Sequence, residues 1–273
     1  MSRALPARFS LPTTPLPDAP LRRRLGWETG LLLALSLGQS GVYAVLRITE
    51  RMTRPEPLAQ QTSTLNVSAT PDRPWLDFIY QTTDAVFLVV PGLMAIFLVT
   101  TVLPPRGEGS GALRVMGLDG GRRGFDIGWG FGIAAAIGVP GLFFYLGARA
   151  LGINTNVAAA NLTDTWWTIP VLVVAAFANG FVEEVVMVGY LFTRWAQAGM
   201  AMWPVLVVSA LVRGSYHLYQ GWGGFAGNVL MGLAFGAFFL RTKRVWPLVV
   251  AHGLIDVAAF VGYALLAPRV SWL

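Results

Sequence analysis

The chain has 273 residues, 55% of them hydrophobic and 12% charged, with a mean hydropathy of +0.58. A soluble domain carries about 25% charged residues, so this composition excludes a soluble globular protein and points to a polytopic membrane protein. The absence of cysteine excludes disulfides, thiolate metal sites and a cysteine nucleophile, and the net charge of +6 comes almost wholly from arginine, Lys243 being the one lysine.

In chain order, residues 1–24 are polar, with Pro6, Pro12, Pro15, Pro17 and Pro20 spread through them, and read as a disordered tail. The tail ends in Arg22-Arg23-Arg24, a topological anchor beside the membrane. No small-x-small cleavage site follows the apolar stretch after it, so it is not read as a cleavable signal. The first span is expected over Trp27–Leu46. A polar loop follows, from Arg47 to about Arg73. The second span is expected over Trp75–Leu103, kinked at Pro91-Gly92. Pro104 to Gly124 is rich in Gly and Arg and reads as a loop with a short interfacial piece at Leu113–Leu118. The third span is expected over Phe125–Leu146. A polar loop from Gly152 to Thr165 leads to a fourth span from Trp166 to about Trp195. The fifth is expected over Trp203–Tyr219, the sixth over Phe225–Leu240 after a break at Gly221-Trp222-Gly223-Gly224, and the seventh over Trp246–Leu266. Gly232-x-x-x-Gly236 on the sixth fits close helix packing.

The fold class is therefore all-α, a transmembrane bundle of about seven spans, with six to eight as the range. Three regions follow: a cytoplasmic tail (1–24), N-terminal spans and loops (25–125), and a core (126–273). Placing the N-terminus in the cytoplasm puts thirteen basic residues inside and six outside, which favours that orientation. Basic residues in such loops report orientation before nucleic-acid binding. No run of Arg and Lys with interleaved aromatics stands on a polar domain, so nucleic acid is not an expected partner.

One stretch, Phe181 to Tyr190, carries Glu183 and Glu184 inside the fourth span. Insertion scales put a central acidic residue at about +2.5 to +3.5 kcal/mol, so such a residue is a functional candidate by default. The only two histidines, His217 and His252, lie in later spans. Arg213 precedes His217 by four residues and Asp256 follows His252 by four, spacings that share a helix face. A lone intramembrane histidine reads as packing between helices, and an arginine near a helix end can snorkel. Both readings weaken when all these groups fall in one part of the chain. A carboxylate in a low-dielectric site works as a general base near neutral pH, and a histidine beside it can donate to a developing oxyanion. That set suits water-mediated amide hydrolysis. Glu, His and His could also hold zinc with a position open for water. Ser209 and Ser215 have no nucleophile setting. Glu and His in spans also build proton relays, but no internal repeat supports a transporter.

The order Glu-Glu-x-x-x-(Arg)-Gly-Tyr, then (Phe)-x-x-x-His, then His-x-x-x-(Asn/Asp), each in its own span, resembles that of the CPBP intramembrane proteases. That family includes endopeptidases that trim prenylated CAAX proteins and bacterial members tied to bacteriocin processing or immunity. The resemblance covers about Trp166 to Leu266. It implies that Glu183 activates water, Glu184 supports it, and His217 and His252 are the site histidines, with Asp256 at the Asn/Asp position. It implies metal-free glutamate chemistry, with zinc possible; if zinc is held, Glu183, His217 and His252 hold it. The implied partners are the bilayer and a peptide or membrane-protein substrate, prenylated in the CAAX case. Apart from the resemblance, composition leads to an expected location in a bacterial plasma membrane, with the N-terminus in the cytoplasm. A non-catalytic scaffold or immunity protein of the same fold is the alternative.

Two positions depart from the pattern. Val188 stands where the family often has Arg, and Arg213 where the second motif has an aromatic. The two are read as linked: Arg213 supplies the missing cation and pairs with Glu184. Counting rise per residue places Glu183 and His252 toward the cytoplasmic half and His217 toward the other. The linkage predicts that Arg213→Phe loses peptidase activity and that adding Val188→Arg restores it. Peptide cleavage by the two purified variants checks this, and a harmless single variant or an unrescued double variant ends the idea.

Overall fold

The structure is a computed structural model, and it describes residues 18–101, 111–267 and 269–270. The described chain is helical, apart from one short pair of strands. Of the expected tail, residues 1–17 lie outside the described residues, and 19–24 are not tail but helix. Asp18 caps α1 (Ala19–Ala34) by accepting from the Leu21 amide at 2.9 Å, and Pro20 sits in the first turn, where no amide is needed.

The first expected span is broken. α1 gives way to α2 (Leu37–Met52) at a bend of 52°. Ser36 turns its hydroxyl back to the Leu32 carbonyl at 2.6 Å, and its backbone leaves the helical region. A Cβ on Gly38 would lie 2.7 Å from the Leu33 carbonyl oxygen, so the close turn needs glycine there. α2 then runs to Met52, past the expected boundary at Leu46. α3 (Pro74–Thr100) continues unbroken through Pro91. The expected end of that span, at Leu103, and the start of the following loop lie outside the described residues.

Five helical stretches are long and apolar enough to cross a membrane: α3, the stretch Gly120–Ala150 containing α5 (Arg123–Ala150), the stretch Thr168–Gln197, α9 (Trp222–Thr242) and α10 (Trp246–Leu266). The bent pair α1–α2 makes six. The chain is an integral membrane bundle.

Within the expected interfacial piece, α4 (Ala112–Val115) and the residues after it dock beneath the bundle. The Met116 carbonyl accepts from Val245 N at 3.2 Å, and the Leu118 carbonyl from Trp246 Nε1 at 2.6 Å. Gly117 has φ +65, and a Cβ there would lie 2.2 Å from the Lys243 carbonyl oxygen. Arg244, in the turn between α9 and α10, grips Asp126 through Nε at 2.5 Å and Nη2 at 2.7 Å, and Asp119 through Nη1 at 2.7 Å.

The fifth expected span is the main departure. α8 (Met202–Ser215) has 14 residues, about 21 Å of helix against a hydrocarbon core of about 30 Å. Its end is built into the sequence. Ser215 Oγ donates to the Val212 carbonyl at 2.7 Å, His217 Nδ1 reaches the Arg213 carbonyl at 3.1 Å, and Gly221 takes φ +119. The chain turns at Leu218–Gln220 and starts back down as α9. Irregular backbone at this depth needs protein partners. Two loops supply them. β1 (Thr62–Thr64) pairs in parallel with β2 (Asn156–Ala158), Ser63 Oγ donates to the Tyr219 carbonyl at 2.9 Å, and Thr155 N donates to the Gln220 carbonyl at 2.8 Å.

Removing the Arg244 fork leaves Asp126 buried without its cation. Arg244→Met is expected to destabilise by about 3–5 kcal/mol, the range for one partner lost from a buried pair. Arg244→Lys should recover little, because an ammonium cannot make the double contact. Thermal unfolding of the purified protein in detergent reads both.

Candidate active site

Glu183 and Glu184 end α6 (Thr168–Glu184), and the chain continues as a π-helical turn, Val185–Tyr190, into α7 (Leu191–Gln197). Together these form the 30-residue stretch Thr168–Gln197. Glu183 lies about 22 Å from its start and about 21 Å from its end at 1.5 Å per residue, which is mid-depth. A π turn is a wide turn often found at functional sites, and here it directly follows the two carboxylates. Close approach fixes the neighbours. A Cβ on Gly180 would lie 2.9 Å from Gly253 N, so α6 and α10 touch one turn from Glu184. Gly232 would meet the Ala210 Cα at 2.9 Å and Gly236 the Leu206 side chain at 2.4 Å, so the small-residue pair on α9 packs against α8.

These contacts bring three helices to one point. Arg213 on α8 donates through Nη1 to Glu184 Oε1 at 2.7 Å, and its Nη2 lies 3.5 Å from Glu183 Oε2. The guanidinium is 1% exposed, the Glu184 side chain 0% and the Glu183 side chain 12%. Arg213 also lies over the Phe235 ring of α9, 5.3 Å from its centroid. His252 Nδ1 is 2.8 Å from Glu184 Oε1 and 3.1 Å from Arg213 Nη2. One nitrogen cannot donate to the first and accept from the second at once. The carboxylate contact is the shorter and is charge-assisted, so Nδ1–H donates to Glu184, and Nε2 faces Asp256 Oδ2 at 3.7 Å.

His217 stands just past the end of α8. Its Nδ1 donates to the Arg213 carbonyl, which leaves Nε2 free to accept. Its ring lies against that of Tyr216, whose hydroxyl bonds Glu183. The shortness of α8 therefore removes the depth mismatch that a full fifth span implied: the helix ends beside Glu183 rather than at the far face. Glu183, Glu184, Arg213 and His252 form the tight cluster, Asp256 backs His252, and His217 stands beside it.

Tyr216 escaped the sequence reading. Its hydroxyl donates to Glu183 Oε2 at 2.8 Å, and its ring lies 4.8 Å from that of His217. No spacing rule marks it, since it precedes a histidine rather than sharing its face. A second buried set also went unread. Arg194 Nε donates to Glu28 Oε1 at 2.8 Å, and Tyr190 OH donates to the same oxygen at 2.9 Å. It ties α1 to α7 below the site.

Among the described residues, three side chains able to ligate a metal, Glu183, Glu184 and His252, have donor atoms within 4.8 Å of one another. His217 is outside this set, unlike in the zinc trio expected from the motif. The Arg213 guanidinium contacts all three members. A zinc ion placed among them would sit beside a fixed positive charge, at distances where like charges repel by several kcal/mol. The residues as placed fit a guanidinium and not a zinc ion.

Residues 165–258 match the family model described as Rce1-like, type II CAAX prenyl endopeptidase. The match spans a third of the chain and contains every member of the cluster, and it supports the resemblance to the CPBP intramembrane proteases. No curated protein and no solved structure matches the chain.

Breaking the central pair from one side should be worse than removing it whole. Arg213→Met strands Glu184 and is expected to destabilise by about 3–5 kcal/mol, while Arg213→Met with Glu184→Gln should recover most of that loss. Thermal unfolding of the two singles and the double in detergent gives the coupling.

Proposed function

We propose that this protein is an intramembrane endopeptidase of the CAAX type in which Glu183 activates the attacking water. The observation that carries the reading is the state of Glu183. It lies at mid-depth, one of its oxygens is held by Tyr216 and Arg213, and no group among the described residues donates to the other.

In this reading the substrate carbonyl lies between Glu183 and the two histidines. Glu183 Oε1 takes a proton from water as the water oxygen attacks the carbonyl carbon. His217 Nε2 accepts a hydrogen bond from the other O–H of the water and orients the attack. Negative charge collects on the carbonyl oxygen, where the Arg213 cation and the Nε2–H of a doubly protonated His252 stabilise it. The proton on Glu183 then passes to the leaving amine as the carbon–nitrogen bond breaks. Glu184 touches no reacting atom; it holds Arg213 and His252 in place. Arg213 supplies the cation without a metal ion.

A second reading, a non-catalytic scaffold or immunity protein, is favoured by Val188, which replaces the arginine of the first motif. It gives no reason for a mid-depth carboxylate with one open oxygen.

The test is cleavage of a quenched peptide by purified protein in detergent, with a prenylated CAAX-type peptide and the same peptide unprenylated. Wild type is expected to cleave, Glu183→Gln and His252→Ala to lose about 100-fold or more, and a chelator to have no effect. A well-folded wild type that cleaves neither peptide would shift the assignment to the scaffold. Loss with chelator, restored by zinc, would overturn the metal-free reading.

A further inference from the structure

Glu183 presents two oxygens to different surroundings. Oε2 receives the Tyr216 hydroxyl at 2.8 Å and faces Arg213 Nη2 at 3.5 Å. Oε1 receives no donor among the described residues, and the Glu183 side chain keeps 12% of its surface exposed. A carboxylate on a flexible stem can rotate and present either oxygen. Here it is pinned on one side.

The pin is itself rigid. Tyr216 is 5% exposed, and its ring is packed against the His217 ring. It follows the last residue of α8, with its amide bonded to the Val212 carbonyl at 3.4 Å. The same helix end carries Arg213, which contacts Oε2, and His217, whose Nδ1 is tied to the Arg213 carbonyl. One short stretch of chain thus sets the carboxylate, its cation and the neighbouring imidazole together.

We propose that Tyr216 is a positioning residue that holds Glu183 Oε2, so that Oε1 is the oxygen that takes the proton from water. The proposal rests on the peptidase reading above for its chemistry, and on geometry alone for the hold on Glu183. Tyr216 touches no reacting atom. Its effect is on the aim of the base, and a misplacement of about 1 Å is worth about 100-fold in rate.

Tyr216→Phe removes one oxygen and keeps the ring on His217. Cleavage by the purified full-length protein should then show kcat lower by about tenfold to 100-fold, with KM within about twofold. Tyr216→Leu, which removes the ring as well, should fall no more than severalfold further. A second readout does not depend on activity. The Glu183 carboxylate stretch, isolated as the infrared difference between each background and its Glu183→Gln counterpart, should shift between wild type and Tyr216→Phe. An unshifted band, an unchanged kcat in Tyr216→Phe, or loss confined to Tyr216→Leu would overturn the proposal and leave Tyr216 a packing residue. If wild type cleaves no peptide, the peptidase reading falls by itself. The band then still decides: a shift supports the hold on Glu183, and no shift overturns it.

Discussion

The buried pair of Arg213 and Glu184 is the constraint around which the bundle is arranged. Taking two charges out of water costs several kcal/mol for each, and their attraction offsets that only with good geometry and further hydrogen bonds. Here the second partners are present in part. Glu184 Oε1 also receives His252, and Arg213 also reaches Glu183 and the face of Phe235. Two buried atoms, Glu184 Oε2 and Arg213 Nε, have no partner among the described residues. A cluster this costly is poor glue, since apolar side chains of the same volume would hold the helices as well or better. Its persistence at mid-depth fits chemistry better than architecture.

The surrounding fold delivers these groups to one level. Small residues let α6 approach α10 and α9 approach α8. The early end of α8 sets Arg213, Tyr216 and His217 beside Glu183. Below, the Met116 side chain fills the space against Gly189 and Val245, and the Arg244 fork fastens the segment that carries it. Above, two loops close over the turn between α8 and α9.

Much of this was legible in the sequence. The apolar runs gave the spans, because a length of about twenty apolar residues has few other uses. The cost of charge at depth singled out Glu183, Glu184, Arg213, His217, His252 and Asp256, and the i, i+4 spacing placed companions on common faces. What was hidden depends on groups far apart in the chain. The end of α8 follows from side chains that cap Val212 and Arg213, and from loop partners some 60 and 150 residues away. The apolar pattern of Trp203–Tyr219 runs straight through that end. The break at Ser36 likewise interrupts an apolar run, and α1 begins early because Asp18 caps it. Tyr216 carries no periodic signal, since its partner Glu183 lies on another helix. The zinc trio expected from the motif could not register that a guanidinium sits among the carboxylates and His252.

The parallel pairing of β1 with β2 has a consequence for how the molecule assembles during synthesis. Parallel strands cannot be joined by a tight turn, and these two are separated by two membrane-crossing helices. β1 therefore leaves the ribosome long before its partner exists. Its other anchor, the Tyr219 carbonyl, comes later still. Such non-local contacts form slowly because the intervening chain must first be ordered. The segment between α2 and α3 thus waits in water while most of the bundle inserts, and takes its place only when the turn after α8 is made. The roof of the site cannot close before α8 is in place, and α10, which brings His252 and Asp256, comes later still.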